Sequence, residues 1–133
     1  YYIDTGLRNA RLNFAYSDHG KMLENVIYNE LIYHGYNVNV GTFDMFENDK
    51  NGKTLRKSME VDFLAQKGIR MYYIQVCDDY SSEDKRTREI KPYIALNDQI
   101  QKIVVINKPI KECRDKDGFT IIGAVEFMLR FIQ

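Results

Sequence analysis

The sequence predicts an α/β fold, a central mixed sheet flanked by helices with the core order αβββαβ. Three observations lead there. An apolar stripe at helical spacing stops at a glycine near position 35. Three strand-like segments with short turns between them follow. A second helical segment then delivers the chain to the short apolar run "KIVVIN". A run of three strands joined by tight turns gives a mixed sheet with helices packed on its faces.

The opening "YYIDTGLRNARLNF" gives a few strand-like residues, a turn at Asp4-Thr5-Gly6 and a short helical stretch. In "SDHG", Asp18 or Ser17 caps a helix from about Gly20 to His34. Leu23, Val26, Ile27 and Leu31 are its apolar stripe, and Gly35 is the left-handed residue that stops it. "YNVNVGTF" alternates, predicting a strand from Tyr36 to Phe43. "DMFENDKNGKTLRKS" is polar and unpatterned apart from an Asn51-Gly52 turn signal, and is expected as a mobile loop or ragged hairpin tip. "MEVDFLAQKGIRMYYIQVC" holds two strands around a Lys67-Gly68 turn. In "SSEDKRTREIKPYIALND", Ser81 or Ser82 caps a helix with acids in its first turn, and Pro92 is expected to kink or restart it midway. "KIVVIN" is a buried strand, "KPIKECRDKDG" is turn-rich, "FTII" is a last strand and "GAVEFMLRFI" a C-terminal helix.

The chain has 133 residues, 44% hydrophobic and 29% charged, which excludes a disordered class. A single domain of this size buries roughly two-thirds of its unfolded surface. Nineteen basic and nineteen acidic residues cancel, so any contact with DNA rests on local clustering, not on net charge. Cys77 and Cys113 form neither a disulfide framework nor a zinc pattern, and fit a reducing compartment such as the cytoplasm. No apolar run reaches the ~18 residues of a membrane span, and no signal peptide opens the chain. Beginning at Tyr-Tyr-Ile, it is expected to be one domain of a longer protein.

Asp62 and Gln75 are the unexpected polar residues of the second and third strands. A two-residue Lys67-Gly68 turn sets Asp62 opposite Tyr73; a four-residue loop sets it opposite Gln75. Either way Asp62, Tyr73, Gln75 and Cys77 are expected on one face, with Val61, Phe63, Ile74 and Val76 on the other. Glu24 precedes Ile27, Tyr28 and Leu31 by three, four and seven positions, at the edge of the stripe that faces the sheet. Unpaired carboxylates in apolar surroundings are costly. Two of them with a side-chain carbonyl suit a hard divalent cation, Mg²⁺ or Mn²⁺. The competing reading keeps Glu24 on a helix-edge cation, Asp62 on loop amides and Gln75 as a satisfied sheet residue. Spacing alone places it slightly ahead. His19 and His34 sit at loop and helix-end positions, and "KNGKTLRK" reads first as a charged loop.

Taken in order, "DTGLRN", "LENVIYNEL", "GYNVNVG", "EVDF", "IQV", "TRE" and "KIVV" resemble the C-terminal domain that follows the ATPase module in a bacterial and archaeal AAA+ ATPase family, of the DUF4143 type. That domain is PD-(D/E)XK nuclease-like, so the resemblance implies a restriction-endonuclease-like αβββαβ core. It also implies Glu24, Asp62 and Gln75 as metal ligands and catalytic residues. The active pattern puts a lysine two positions after Gln75, where this chain has Cys77. Loss of one such preorganised donor costs about 10²–10³ in rate. Lys85, Arg86 and Arg88 could supply a substitute cation or touch nucleic acid, although a solvated helix face is their simpler reading and "DDYSSED" would repel phosphate. The leading expectation is therefore a catalytically degenerate nuclease-fold module, a binding or regulatory domain of the ATPase. The alternatives are a working Mg²⁺- or Mn²⁺-dependent DNA endonuclease and a protein-interaction domain. Its expected partners are the ATPase module of the parent chain, DNA or a second copy.

Overall fold

The computed structural model describes residues 19–48, 54–78, 80–96 and 98–133, with positions 1, 3, 6, 10 and 11. Its elements are α1 (His19–Tyr33), β1 (Asn37–Asn48), β2 (Thr54–Lys67), β3 (Arg70–Cys77), α2 (Glu83–Ala95), β4 (Gln101–Ile106), β5 (Cys113–Arg114), β6 (Thr120–Gly123) and α3 (Ala124–Glu126). The strands form one sheet in the order β1-β2-β3-β4-β6-β5. The β1–β2, β2–β3 and β5–β6 pairs are antiparallel, while β3–β4 and β4–β6 are parallel. This is the expected α/β fold with a mixed sheet and an αβββαβ core.

Helix α1 buries Ile27 and Leu31 with Leu23 and Tyr28 beside them. Val26, expected in that stripe, is exposed, and Asn25 is buried instead. The face centred on positions 27 and 31 leaves position 26 on its outer flank. Gly35 has φ 80°. Its N–H donates to Ile32 O at 3.0 Å and the Tyr36 N–H to Leu31 O at 2.9 Å, the paired bonds of a Schellman motif. The expected caps Ser17 and Asp18 lie outside the described residues, as does most of the opening segment.

Of the two expectations for the segment after Phe43, a mobile loop or a ragged hairpin tip, the structure has the hairpin, with ladder extending further than expected. β1 continues to Asn48 and β2 begins at Thr54, with unbroken partners from Gly41↔Val61 to Asn48↔Thr54. Asp44 Oδ2 accepts from Arg56 Nη2 at 2.6 Å, an exposed ion pair across this arm. The Asn51-Gly52 tip falls outside the described residues.

Nearer the core, Asn39 pairs with Leu64 but Gly41 with Val61. Val40 therefore opposes two residues, Asp62 and Phe63, which is a β-bulge. The bulge breaks the alternation expected of β2. Phe63 packs with Ile27, Leu31, Ile74 and Val76 on the α1 face, while Val61 joins Cys77, Ile90 and Tyr93 on the α2 face. The following turn is the two-residue Gly68-Ile69, with Lys67 opposite Arg70 and Phe63 opposite Ile74. One further step in that register places Asp62 across from Gln75, not Tyr73.

Ser82 caps α2, its hydroxyl accepting from Lys85 N at 3.3 Å. Pro92 does not restart the helix, which runs continuously from Glu83 to Ala95. It lies in the last turn, where the missing N–H removes little of the remaining ladder. Tyr93 ties α2 to the sheet by donating its hydroxyl to Ile103 O at 2.6 Å. Two further departures lie near the C-terminus. The turn-rich segment contains β5, folded back by Asp115 Oδ1, which accepts from the Asp117 and Phe119 amides at 2.9 and 3.0 Å. The last helix is α only over three residues and then widens into a π turn, Phe127–Phe131, whose rings stack at 5.5 Å. Among the described residues no helix is long and apolar enough to cross a membrane.

Candidate functional site

The bulge on β2 is where the site begins. The last β2–β3 ladder pair is Phe63↔Ile74. Beyond it the Val76 amide donates to the Asp62 carboxylate, N to Oδ2 2.7 Å, and so the side chain takes the place of a ladder carbonyl. Burial, above all, pushes the Asp62 carboxyl up to about 7; Glu24 and Glu89 push the same way, against the lowering effect of the Val76 and Gln75 hydrogen bonds.

On β3 the Gln75 side chain points to the α2 side. Its Nε2 donates to Glu89 Oε2 at 3.2 Å. Its Oε1 is buried with no hydrogen-bond partner among the described residues. Two positions on, Cys77 is buried in the second core cluster. Burial first, then the nearby Glu89 carboxylate, hold that thiol far above its ordinary range. Cys77 is a neutral packing residue, neither a nucleophile nor a stand-in for a lysine.

Glu24, Gln75, Cys77, Lys85, Arg88 and Glu89 line one cleft of about 420 Å³. It opens beyond the C-terminal end of β3, between the first turns of α1 and α2, which is where ligands bind in open α/β sheets. Asp62 adjoins it through its electrostatic coupling to Glu24 and Glu89. Tyr1 lies beside the same acids: burial, then Glu24 and Asp62, raise its phenol to about 12, and its ring stacks on Tyr28 at 4.2 Å. A cleft of similar size, about 390 Å³, lies at the opposite ends of β4 and β6 beside Lys102, Arg114 and Thr120; it contains none of the residues singled out from the sequence.

The structure thus brings together Glu24, Asp62 and Gln75, and with them Lys85 and Arg88. It does not bring Arg86. That guanidinium is buried and donates to Asp115 at 2.6 Å, to Asp117, and to Glu83 at 3.4 Å, which pins α2 to the β5–β6 hairpin. Arg86 is a structural residue, a correction both to the solvated helix face expected for it and to the weaker expectation of a nucleic-acid contact. In the "KNGKTLRK" run, Arg56 is held by Asp44. His34 lies 3.7 Å from Glu30 at the end of α1, away from the cleft.

Glu89 is the residue that sequence reasoning missed. Its signal was its place four before Tyr93 and beside Ile90, on the buried flank of α2.

Among the described residues, no group of three or more His, Cys, Asp or Glu side chains is close-set as a protein-only metal cage would be. Mg²⁺ does not need one, since it is held by one or two carboxylates and keeps several waters. The donors fit such an ion: all are hard oxygens, burial and then the Glu24 and Glu89 charges hold Asp62 toward its protonated form, and the Gln75 carbonyl has no partner among the described residues.

No family model and no solved structure matches the chain. The chain is similar to an uncharacterized protein of Haemophilus influenzae, 27% identical over 130 residues, a match covering 98% of this chain. It spans 28% of the length of that curated relative.

Proposed function

We propose that the cleft is a divalent-cation-assisted phosphodiester site of the nuclease type, acting on DNA, in a domain that serves a larger ATPase. The observation that carries this reading is the company Gln75 keeps. A buried carbonyl oxygen without a partner among the described residues sits beside Glu89, with Asp62 electrostatically coupled to Glu24 and Glu89, in a cleft that also presents Lys85 and Arg88. Unsatisfied buried acceptors and clustered acids cost stability, and such costs gather at functional sites.

Glu24 and Asp62 would hold Mg²⁺ or Mn²⁺, with the Gln75 carbonyl as a further oxygen. Such an ion would polarise a phosphoryl oxygen and make a bound water more acidic. Lys85 and Arg88 face phosphate and balance the charge that develops on it, the part that a lysine at position 77 would otherwise play. The resemblance of the sequence motifs to the AAA+ ATPase C-terminal domain supports an ATPase module as the partner. The two free cysteines suit the reducing cytoplasm.

The test is cleavage of supercoiled, single-stranded and branched DNA in Mg²⁺ and in Mn²⁺, beside Asp62→Asn. Cleavage that disappears in the variant supports the reading; none from folded protein in either metal overturns it. One observation favours a second reading, the degenerate binding or regulatory module: a neutral, packed Cys77 in the lysine position. That reading predicts salt-sensitive DNA binding without cleavage. Self-association without DNA binding would instead mark an interaction domain.

A further inference from the structure

Of the cleft's polar groups, the Gln75 amide has two unlike ends. Its nitrogen donates to Glu89 Oε2 at 3.2 Å, while the oxygen has no partner among the described residues. A carboxylate accepts and does not donate, so Glu89 can hold only the nitrogen end.

We propose that Glu89 is a positioning residue that fixes the Gln75 amide so that its carbonyl oxygen, not its nitrogen, is the end left for a divalent cation. This rests on the cleft being a cation site. With the amide reversed, two N–H groups would point at the cation and the oxygen would point at a carboxylate, two repulsions in place of two attractions. Glutamine is therefore compatible with a cation at position 75 because Glu89 orients it. A glutamate at position 75 would need no such neighbour, its two oxygens being alike.

That difference gives the test. The chain would be titrated with Mn²⁺ and the free ion followed by its paramagnetic resonance signal, for wild type, Glu89→Gln, Gln75→Glu and the double variant, with thermal melts alongside. Glu89→Gln is nearly isosteric, and its head group can bond either end of the Gln75 amide. It is expected to weaken Mn²⁺ about tenfold or more, the usual effect of losing an outer-shell partner, at a similar melting temperature. In the Gln75→Glu background the same change is expected to shift affinity by less than about threefold, because orientation no longer matters there. Glu89→Leu, which has no hydrogen-bonding head group to hold either end of the amide, provides the same comparison if Glu89→Gln does not melt cooperatively. Unchanged affinity in Glu89→Gln overturns the positioning role. So does an equal loss in both backgrounds, which would make Glu89 a ligand or a packing residue. A wild-type chain that binds no Mn²⁺ overturns the cation reading beneath it, a different result from binding that ignores Glu89.

Discussion

Asp62 has one oxygen on the Val76 amide and two other carboxylates nearby. Its folded value near 7 stands above the unfolded value near 3.9, the reverse of a salt-bridged aspartate. The native state therefore holds the extra proton between those values. Stability falls as pH rises from about 4 to about 7, and stays lower above that. Asp62→Asn keeps the carbonyl that Val76 needs and removes the charge. In the absence of metal it is expected to stabilise the chain by about 1–2 kcal/mol near pH 8 and by nothing near pH 3, as urea melts would show. The same variant loses catalysis in the cleavage assay, so stability and activity should move in opposite directions. Lys85→Ala with Arg88→Ala should cut cleavage by about 10², leaving the melting temperature near wild type, since both side chains are exposed. Glu24, Asp62 and Gln75 were legible because charged or amide residues interrupt patterns that should be apolar. Glu89 was not, because its flank of α2 shows only once the partner on β3 is known.

Two local irregularities position the site. The bulge at Asp62-Phe63 turns Asp62 away from simple alternation and leaves the Val76 amide for its carboxylate. A bulge shifts register by one residue and has no periodic signature, which is why Val61 and Phe63 were expected on one face and lie on two. The strand register was open for a related reason: "KGI" allows the turn to fall on either of two dipeptides, and Gly68, at φ 60°, settles it. The second device is the anchor of α2. Arg86 and Asp115 are both nearly buried, with side chains 11% and 10% exposed. Arg86→Ala leaves Asp115 without its main countercharge and is expected to cost about 3 kcal/mol in urea unfolding, with Asp115→Asn milder. At the end of α1, Gly35→Ala forces an alanine into left-handed backbone and should cost about 1 kcal/mol, while leaving Mn²⁺ affinity unchanged.

At the scale of the molecule, the mixed sheet sets two cores on its two faces, and the cleft opens where β3 ends between α1 and α2. The order αβββαβ was readable because apolar periodicity and turn chemistry agree over each core element. The C-terminal π turn and the two-residue β5 were not, since both are too short or too irregular to leave a period. A net charge of zero fits a site that attracts its ligand locally, by acids for a cation and by Lys85 and Arg88 for a phosphate. Every functional step proposed here starts from an ion in that cleft. The most direct measurement is a Mn²⁺ titration of wild type and Asp62→Asn near pH 8, where the carboxyl is ionised. Saturable binding to one class of site, lost in the variant, is the predicted result. No saturable binding by the folded wild-type chain, or binding that Asp62→Asn leaves intact, would contradict the account.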